Sequence, residues 1–360
     1  MASIQKRPNG KWRARYRDGA GKEHARHFPR KIDAQRWIDE TTASIVTGAY
    51  IAPGAGRVTF RQYADDWRAR QVHRPGTAVL VEDALSRHVY PVLGDRPLDS
   101  IRPSDVQAMV KGMRLAPSSV RVAMRYVSSI FTAAVEDQRI PRSPARGVRL
   151  PRVEARRIEV VPTDTVMAMV EAVPEDMRAM LVLAVGTGMR QGEIFGLLVD
   201  RVDFLRRVVH VDRQLVDGGV FGPPKTASSV RSIPLPQTVV EALAAHLQVF
   251  PAGDEGLVFT RAKGRRWTRS AFSEQWTRAR AATGAPEGLT MHGLRHYYAS
   301  LLIRHGESVK VVQARLGHAT AAETLDTYAH LWPDSEDRTR DAVDVVLGAG
   351  ADRLRTADQS

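Results

Sequence analysis

T-M-H-G-L-R-H-Y, at residues 290–297, is the first of three polar motifs set into otherwise apolar sequence near the C-terminus; L-G-H at 316–318 and T-Y-A-H at 327–330 are the others. Buried cations need hydrogen-bond acceptors or a counter-charge, so histidines and arginines inside apolar helical segments require a partner. The motifs therefore predict a fold organised around an anion. A phosphate, a carboxylate of the protein itself and no anion at all are the three alternatives.

The composition is that of an ordinary globular protein. The chain has 360 residues, 43% of them hydrophobic, which predicts two or three domains. No apolar run approaches the ~20 residues of a membrane helix, and the N-terminus lacks the apolar segment of a secretory signal. Because there is no cysteine, disulfides, thiolate metal sites and cysteine nucleophiles are excluded, which fits a reducing compartment.

The charge is strongly positive, with a net value of +13. Such a balance indicates a polyanionic partner, although a generally arginine-rich proteome is an alternative. Residues 1–31 contain ten lysines and arginines against two acidic residues. This concentration favours a dedicated contact with a polyanion such as DNA.

Residues 10–28 are predicted to form a β-hairpin covered by the helix that follows. Trp12, Ala14 and Tyr16 alternate with arginines at the period of a strand, and 18–21 has turn chemistry. The basic face of this hairpin could enter a major groove, or it could be a solvated charged face. The candidate DNA contacts are Lys11, Arg13, Arg15 and Arg17 here, and Arg121 and Arg125 in the helical region that follows.

Residues 57–140 are predicted to form a four-helix domain. Thr59 is the expected N-cap of the first helix, a second helix should cover 77–89, and Ser104–Asp105 should cap a short third helix. The fourth helix has the clearest apolar stripe, made of Val120, Met124, Val127, Phe131 and Ala134.

Residues 141–158 are predicted to be a basic linker. Prolines at 141, 144 and 151 make it semi-rigid. A strap along a polyanion and an ordinary solvated linker are equally supported.

From residue 159 the pattern mixes helices and short strands. Thr163 is the expected cap of a helix, and the buried helix containing 180–185 should end at 186–188. The glycines there do not have the spacing of a dinucleotide-binding motif, and no phosphate-binding G-K-[ST] loop is present. Other predicted elements are strands at 207–212, 220–221 and 230–235 and helices at 238–249 and 270–282.

Six side chains in this region could act on one anion: Arg190, Lys225, His292, Arg295, His318 and Tyr328. Arg190 lies three residues before Glu193, which could hold its guanidinium. His292 and Arg295 share a helix face because they are three residues apart.

This set resembles the tyrosine recombinases, in particular the phage-type integrases. The matching motifs are R-x-x-E at 190–193, P-K-T at 224–226, H-x-L-R-H at 292–296, L-G-H at 316–318 and T-Y-A-H at 327–330. Each motif is weak alone, but five in this order are specific, and the resemblance covers roughly residues 57–345. The N-terminal module looks like the arm-binding domain that such integrases often carry.

The resemblance implies a multidomain fold, mainly α with small β-sheets. Its expected parts are an N-terminal three-stranded sheet plus helix that binds arm-type DNA (1–50), a four-helix core-binding domain (57–140), a basic linker (141–158), a mixed α+β catalytic domain (159–345) and a C-terminal tail (346–360).

The resemblance also implies an activity: site-specific recombination that integrates, and excises, phage or mobile-element DNA. Tyr328 would attack a scissile phosphate to give a 3′-phosphotyrosyl intermediate, while Arg190 and Arg295 clamp the phosphate oxygens. The other implied roles are leaving-group acid for Lys225, proton transfer for His292, phosphate binding for His318, and support for Glu193 and His296. Neither a metal, another cofactor nor ATP is expected.

The implied partners are double-stranded DNA with core-type and arm-type sites, and an excisionase or DNA-bending accessory protein. A homotetramer on DNA is expected, with residues 334–360 packing onto a neighbouring protomer. No membrane partner is expected, and the expected location is the bacterial cytoplasm, in association with the nucleoid.

Two other functions compete with recombination. A type IB topoisomerase shares the chemistry but needs no second recognition module. A catalytically silent DNA-binding protein need not keep Tyr328 together with both arginines. Among rival site assignments, zinc at His292 and His296 lacks the intervening Glu of H-E-x-x-H, Tyr297 and Tyr298 are expected to pack, and Lys263 is a weaker substitute for Lys225.

Overall fold

The computed structural model of the chain divides into two units, residues 1–155 and 156–360. It describes residues 2–19, 21–153, 159–216, 219–224, 226–253, 255–332 and 340. The described part is mostly helical with small antiparallel sheets, as predicted. Within these ranges, no helix combines the length and apolar character needed to cross a membrane.

The first unit begins with a three-stranded antiparallel sheet in the order β1 (Ser3–Lys6), β2 (Trp12–Arg17), β3 (Glu23–Phe28). Helix α1 (Lys31–Val46) packs on one face. The alternation predicted for β2 is confirmed, because Ala14 and Tyr16 are buried while the arginines that follow each of them are exposed. Ala20, in the predicted turn, lies outside the described residues.

Four α-helices follow in the first unit: α2 (Phe60–Arg70), α3 (Pro75–Ala84), α4 (Pro103–Gly112) and α5 (Pro117–Glu136). Thr59 caps α2 as predicted, since its hydroxyl accepts from the backbone N–H of Gln62 while the Gln62 side chain accepts from the Thr59 N–H. Every residue of the predicted apolar stripe on α5 is buried in the common core.

Two predictions for these helices are wrong at the boundaries. The chain continues beyond α3 as a π-helical segment, Leu85–Gly94, in which Leu85, Val89 and Leu93 are fully buried. Burial of that four-residue repeat holds the chain helical even through a proline. Ser104 is not the N-cap of α4, because Pro103 already starts the helix, but Asp105 does take part in capping it: its carboxylate accepts from the backbone N–H of Arg102 at 2.8 Å.

Part of the predicted linker lies on the helices of the first unit. The Gln107 side chain donates to the Arg149 carbonyl at 3.1 Å and accepts from its N–H at 2.8 Å. Arg121 Nε donates to the Pro151 carbonyl at 3.0 Å, and Val148 and Leu150 pack on the helical core. Residues 148–151 are therefore fixed to the unit that precedes them, while 154–158 lie outside the described residues.

The second unit is a helical assembly with small sheets. Its helices are α6 (Thr163–Ala172), α7 (Glu175–Thr187), α8 (Gln191–Phe195), α9 (Gln237–Val249), α10 (Arg269–Thr283), α11 (Met291–Arg304), α12 (Val309–Leu316) and α13 (Ala321–Tyr328). A three-stranded antiparallel sheet has the order β4 (Val202–Asp203), β5 (Val208–Val211), β8 (Arg231–Pro234). Two ribbons pair β6 (Gln214–Val216) with β7 (Val220–Gly222), and β9 (Thr260–Arg261) with β10 (Arg265–Arg266).

The sequence predicted some of the helix ends in this unit correctly and others not. Helix α7 stops at Gly188 (φ +63°), close to the predicted glycine turn, and α12, which is capped by Ser308, stops at Gly317 (φ +65°). Thr163 is not a cap, since Pro162 precedes α6 and the Thr163 hydroxyl instead pairs with the Tyr297 hydroxyl at 2.8 Å.

Close packing, as well as backbone conformation, favours glycine at position 317. A Cβ built there would lie 3.0 Å from the carbonyl oxygen of Ser228 and 3.1 Å from Cδ of Arg231. Gly284, which ends α10 with the same φ of +65°, has no atom of the described residues within 4 Å of such a Cβ. The two glycines thus share a backbone requirement but not a close approach.

Substituting these two glycines by alanine separates the two effects. Gly284→Ala should cost about 1 kcal/mol, the conformational penalty of a left-handed non-glycine residue. Gly317→Ala should cost more, because the strand and loop facing it must also move. Denaturant unfolding of both full-length variants measures this. Equal losses of stability would show that the close approach carries no penalty.

Candidate active site

Five of the six predicted site residues line one cavity of about 420 Å³ in the second unit: Arg190, His292, Arg295, His318 and Tyr328. The sixth, Lys225, lies outside the described residues. Residues separated by more than a hundred positions in the chain thus meet at one place. Other side chains on the cavity wall are Thr226, His296, Glu323 and Thr327.

Arg295 is a buried cation held by backbone. Only 2% of it is exposed, and its guanidinium donates to the Gly188 carbonyl at 2.8 Å and to the Leu316 carbonyl at 2.6 Å. Both acceptors lie at the C-terminal ends of helices, where the helix dipole is negative. Burial, together with Arg190 and Arg231 nearby, lowers the pKa of Arg295 to about 9, and the group stays protonated at neutral pH.

Arg190 is aimed by Glu193, as its spacing predicted. Its Nη1 donates to Glu193 Oε1 at 3.0 Å and to the Ser229 hydroxyl at 3.3 Å, while Nη2 donates to the Gly317 carbonyl at 3.4 Å. The Glu193 carboxylate also accepts from the Arg190 backbone N–H at 2.8 Å. With 27% of its side chain exposed, Arg190 is fixed yet still reaches the cavity.

Arg231 completes this arrangement and was missed in the sequence. Its guanidinium forms a two-pronged pair with Glu193, at 3.1 and 2.9 Å, and its Nε donates to the Arg315 carbonyl at 2.8 Å. Burial alone would raise the pKa of Glu193, but the bonds and charge of Arg231, and then those of Arg190, lower it overall. The only available signal was an arginine in a strand shortly after P-K-T.

Three successive carbonyls at the end of α12 therefore hold three different arginines. Arg315 accepts from Arg231, Leu316 from Arg295 and Gly317 from Arg190. Three guanidinium groups meet one buried carboxylate, so positive charge is in excess. That excess suits an anion in the cavity.

The histidines are neutral at neutral pH. Burial first, and then Arg295 and other cations, lowers the pKa of His318 to about 4; its Nδ1 pairs with the Thr324 hydroxyl at 2.8 Å. Burial, Arg295 and Arg190 also lower the pKa of His292. Since Thr324 engages one ring nitrogen of His318, the other is the one available to a ligand.

Tyr328, the last residue of α13, is almost completely buried, with 1% exposed. Its hydroxyl is hydrogen bonded to Nδ1 of His296 at 2.7 Å, and its ring is parallel to that of His318. Burial raises the pKa of Tyr328 to about 12, although Arg295 opposes this. The phenol is therefore fully protonated before any reaction.

A second cavity, of about 360 Å³, shares Arg190, His292 and Arg295 with the first. Its other wall residues include Arg269, Gln191 and Thr290. The cationic groups thus lie on the boundary between the two cavities.

The rival residues Tyr297, Tyr298 and Lys263 do not line this cavity. Tyr297 pairs with Thr163, and Tyr298 is buried in the core with Ala299 and Ile303. Lys263 lies in the turn between β9 and β10 and is absent from the cavity wall. Across the described ranges, no three His, Asp or Glu side chains form a group that could hold a metal ion.

The candidate DNA contacts lie in the first unit, in two places. Arg13, Arg15 and Arg17 lie on the sheet face opposite α1, where Arg15 Nε donates to the Ser3 hydroxyl at 2.7 Å; Lys11 precedes this strand and is exposed. Arg125 lines a groove of about 630 Å³ on the helical region, whereas Arg121 is engaged with the Pro151 carbonyl.

Three protein-family models match this chain, and together they cover most of it. Residues 159–334 match the phage integrase family, 60–151 the phage integrase central domain and 2–47 the phage integrase N-terminal domain. The chain is 27% identical to an integrase of Mycobacterium phage L5 over 337 residues, which is 88% of this chain and 90% of that protein.

Solved structures share the fold. A Tn1549 transposon integrase in complex with transposon right end DNA has a TM-score of 0.70 at 23% identity, covering 81% of this chain and all of that one. A lambda integrase dimer bound to a core site has a TM-score of 0.63 at 20% identity, covering 92% and 96%.

Arg231 is expected to be essential to the site's stability. Arg231→Ala leaves Glu193 buried with less compensation, so the unfolding free energy should fall by about 3–5 kcal/mol. The double variant Glu193→Gln/Arg231→Met removes both charges and should recover part of that loss. Denaturant unfolding of the two variants checks this, and a single variant as stable as the wild type would contradict the role given to Arg231.

Stability should also depend on pH through the histidines. The pKa values of His296 and His318 are about 4 in the folded chain, against about 6.5 in an unfolded one. The unfolded state therefore binds more protons, and the unfolding free energy should fall as pH drops from about 6.5 toward 4. Thermal unfolding at pH 7.5 and 5 measures the slope, which His318→Gln should reduce; a slope unchanged by that substitution would exclude His318 as a source.

Proposed function

We propose that this chain, which belongs to the phage integrase family of tyrosine recombinases, is a site-specific DNA recombinase that uses Tyr328 as its nucleophile. The observation that carries the proposal is the convergence of the Tyr328 hydroxyl with two arginines in a cavity with excess positive charge. The Arg190 and Arg295 guanidiniums suit the non-bridging oxygens of a phosphodiester, and they stabilise the charge that develops during displacement.

In the proposed reaction, the Tyr328 oxygen bonds to the scissile phosphorus as the bond to the 5′-oxygen breaks. The products are a 3′-phosphotyrosyl linkage and a free 5′-hydroxyl. His318 would donate a hydrogen bond to the phosphate from its ring nitrogen Nε2, which requires that Nδ1 accept from Thr324. His292 borders the same space and would assist proton transfer, and Lys225 would protonate the 5′-oxygen.

Rejoining reverses these steps with a new 5′-hydroxyl. The phosphotyrosyl bond conserves the energy of the original phosphodiester, so the proposed cycle needs no ATP. Side chains supply the charge stabilisation in this cycle, so we propose no metal ion.

The proposed partners follow the relatives. Lambda integrase has been seen as a dimer on a core site and as a tetramer on a Holliday junction, and we propose a homotetramer on DNA here. The helical region of the first unit would bind the core site, and the exposed arginines of β2 the arm-type site. An excisionase or DNA-bending protein would set direction, with the bacterial cytoplasm as the place of action. The C-terminal segment 334–360, expected to join protomers, lies outside the described residues apart from 340.

A covalent trapping experiment tests the nucleophile. A substrate is first selected by incubating the wild-type protein with a random pool of duplexes, each carrying one nick. The duplexes that become covalently attached to the protein are kept. With the selected duplex, the wild type should form a covalent adduct in the presence of a chelator, and Tyr328→Phe should form none because it has no hydroxyl.

Tyr297→Phe is the matched control, since it removes another buried hydroxyl of the same unit. It should keep the adduct, while Arg190→Lys should slow its formation by about 10²–10³-fold. An adduct that persists in Tyr328→Phe would overturn the assignment of the nucleophile.

A further inference from the structure

The hydroxyl of Tyr328 has a specific partner that the mechanism above leaves unused. His296 Nδ1 lies 2.7 Å from the Tyr328 oxygen, and the two rings are inclined by 66° with centroids 5.5 Å apart. With its proton on Nε2, the neutral imidazole can accept the hydrogen bond of the hydroxyl at Nδ1. Because Tyr328 is buried, bulk water has little access to that proton.

We propose that His296 is the general base that takes the proton of Tyr328 during DNA cleavage, and the acid that returns it during rejoining. The inference rests on the proposed function and assigns a catalytic role to a residue first expected only to support the site. In cleavage, the Tyr328 oxygen bonds to phosphorus, its proton passes to His296 Nδ1, and the 5′-oxygen leaves with a proton from a separate acid. In rejoining, the phenol oxygen leaves phosphorus and takes the proton back.

The other histidines are placed differently. The Nδ1 of His318 is engaged by Thr324, and its ring lies parallel to the Tyr328 ring at 6.4 Å instead of meeting the hydroxyl. The rings of His292 and His296 are packed edge to face with their centroids 4.5 Å apart, so His292 contacts the proposed base. Of the described side chains, His296 is the one whose ring nitrogen is hydrogen bonded to the nucleophilic oxygen.

The resting site keeps the proton on the phenol. Burial first, and then electrostatic interactions with His292, Arg295 and His318, lowers the pKa of His296 to about 4, whereas burial raises that of Tyr328 to about 12. His296 is therefore neutral, and its tautomer with the proton on Nε2 accepts from the phenol at Nδ1, but it cannot ionise Tyr328 in the absence of DNA. The unbound nucleophile thus stays inactive.

DNA changes both sides of this balance. A phosphodiester offsets the charges of Arg190 and Arg295, which makes a protonated His296 less costly. As the bond to phosphorus forms, the phenol oxygen loses its basicity, so proton transfer becomes favourable in the transition state. Base catalysis of this kind contributes about 10²–10⁴-fold in rate.

The test is His296→Gln, whose side-chain oxygen can accept the hydrogen bond but not the proton. With the duplex selected by the wild type, single-turnover cleavage by this variant should be about 10²–10⁴-fold slower, while DNA binding and thermal stability stay near wild type. The control is His305→Gln, at the exposed end of the same helix, which should cleave at the wild-type rate.

Two readouts separate a base from a merely structural residue. A duplex with sulfur in place of the bridging 5′-oxygen needs no leaving-group acid, so it should rescue a variant that lacks the acid but not His296→Gln. The wild-type rate should fall at low pH as His296 becomes protonated in the complex, and this limb should be missing in the variant. The pH at which this limb occurs will depend on the groups that face His296, which are His292, Arg295, His318 and Tyr328.

The outcomes are distinguishable. If the wild type forms an adduct that Tyr328→Phe abolishes, and folded His296→Gln cleaves at the wild-type rate, the base assignment is overturned while the proposed function stands. A wild type that never forms an adduct overturns both. If His296→Gln does not fold, His296→Gly with added imidazole takes its place: recovery of the rate supports the assignment, and a folded variant that imidazole leaves slow contradicts it.

Discussion

The end of helix α12 is the constraint on which the second unit depends. Three successive carbonyls, of Arg315, Leu316 and Gly317, each accept a hydrogen bond from a different arginine, brought from β8, α11 and the start of α8. Carbonyls at a helix C-terminus have no partner within the helix and carry its negative dipole. The arginines supply the missing donors, and the helix end supplies the counter-charge that buried cations need. The same hydrogen bonds therefore connect the elements of the fold and position the arginines of the candidate active site.

This explains which parts of the site could be predicted. Arg190 and Glu193 lie within one helical turn, and His292 and Arg295 share a face, so their relation follows from local spacing. His318 follows a helix-ending glycine that the pattern also marks. Arg231 could not be found this way, since its partner Glu193 is 38 positions distant and an arginine in a short strand looks ordinary. The same holds for His296, whose contact with Tyr328 depends on how α11 meets α13.

The fold shows the same division between local and distant causes. The alternation in β2 and the stripe on α5 were predicted because each records burial on one face. The predicted helix ended at 89, short of the observed end at 94, because Pro91 and a glycine disfavour a helix. The burial of Leu85, Val89 and Leu93 outweighs that local preference. Thr163 has the chemistry of a cap, but its hydroxyl is used by Tyr297, from a helix far along the chain.

The imbalance of three guanidiniums against one buried carboxylate also has a consequence for the lifetime of the protein. Repulsion among these cations destabilises the fold of the free chain, and under the proposed function a bound phosphodiester would offset that repulsion. Any ligand that binds only the folded form draws the equilibrium toward that form. Under the proposed function, the second unit would be most stable while bound to DNA, and a chain that has left DNA would be unfolded and degraded more easily. The DNA would in this way stabilise the folded form of the enzyme that acts on it.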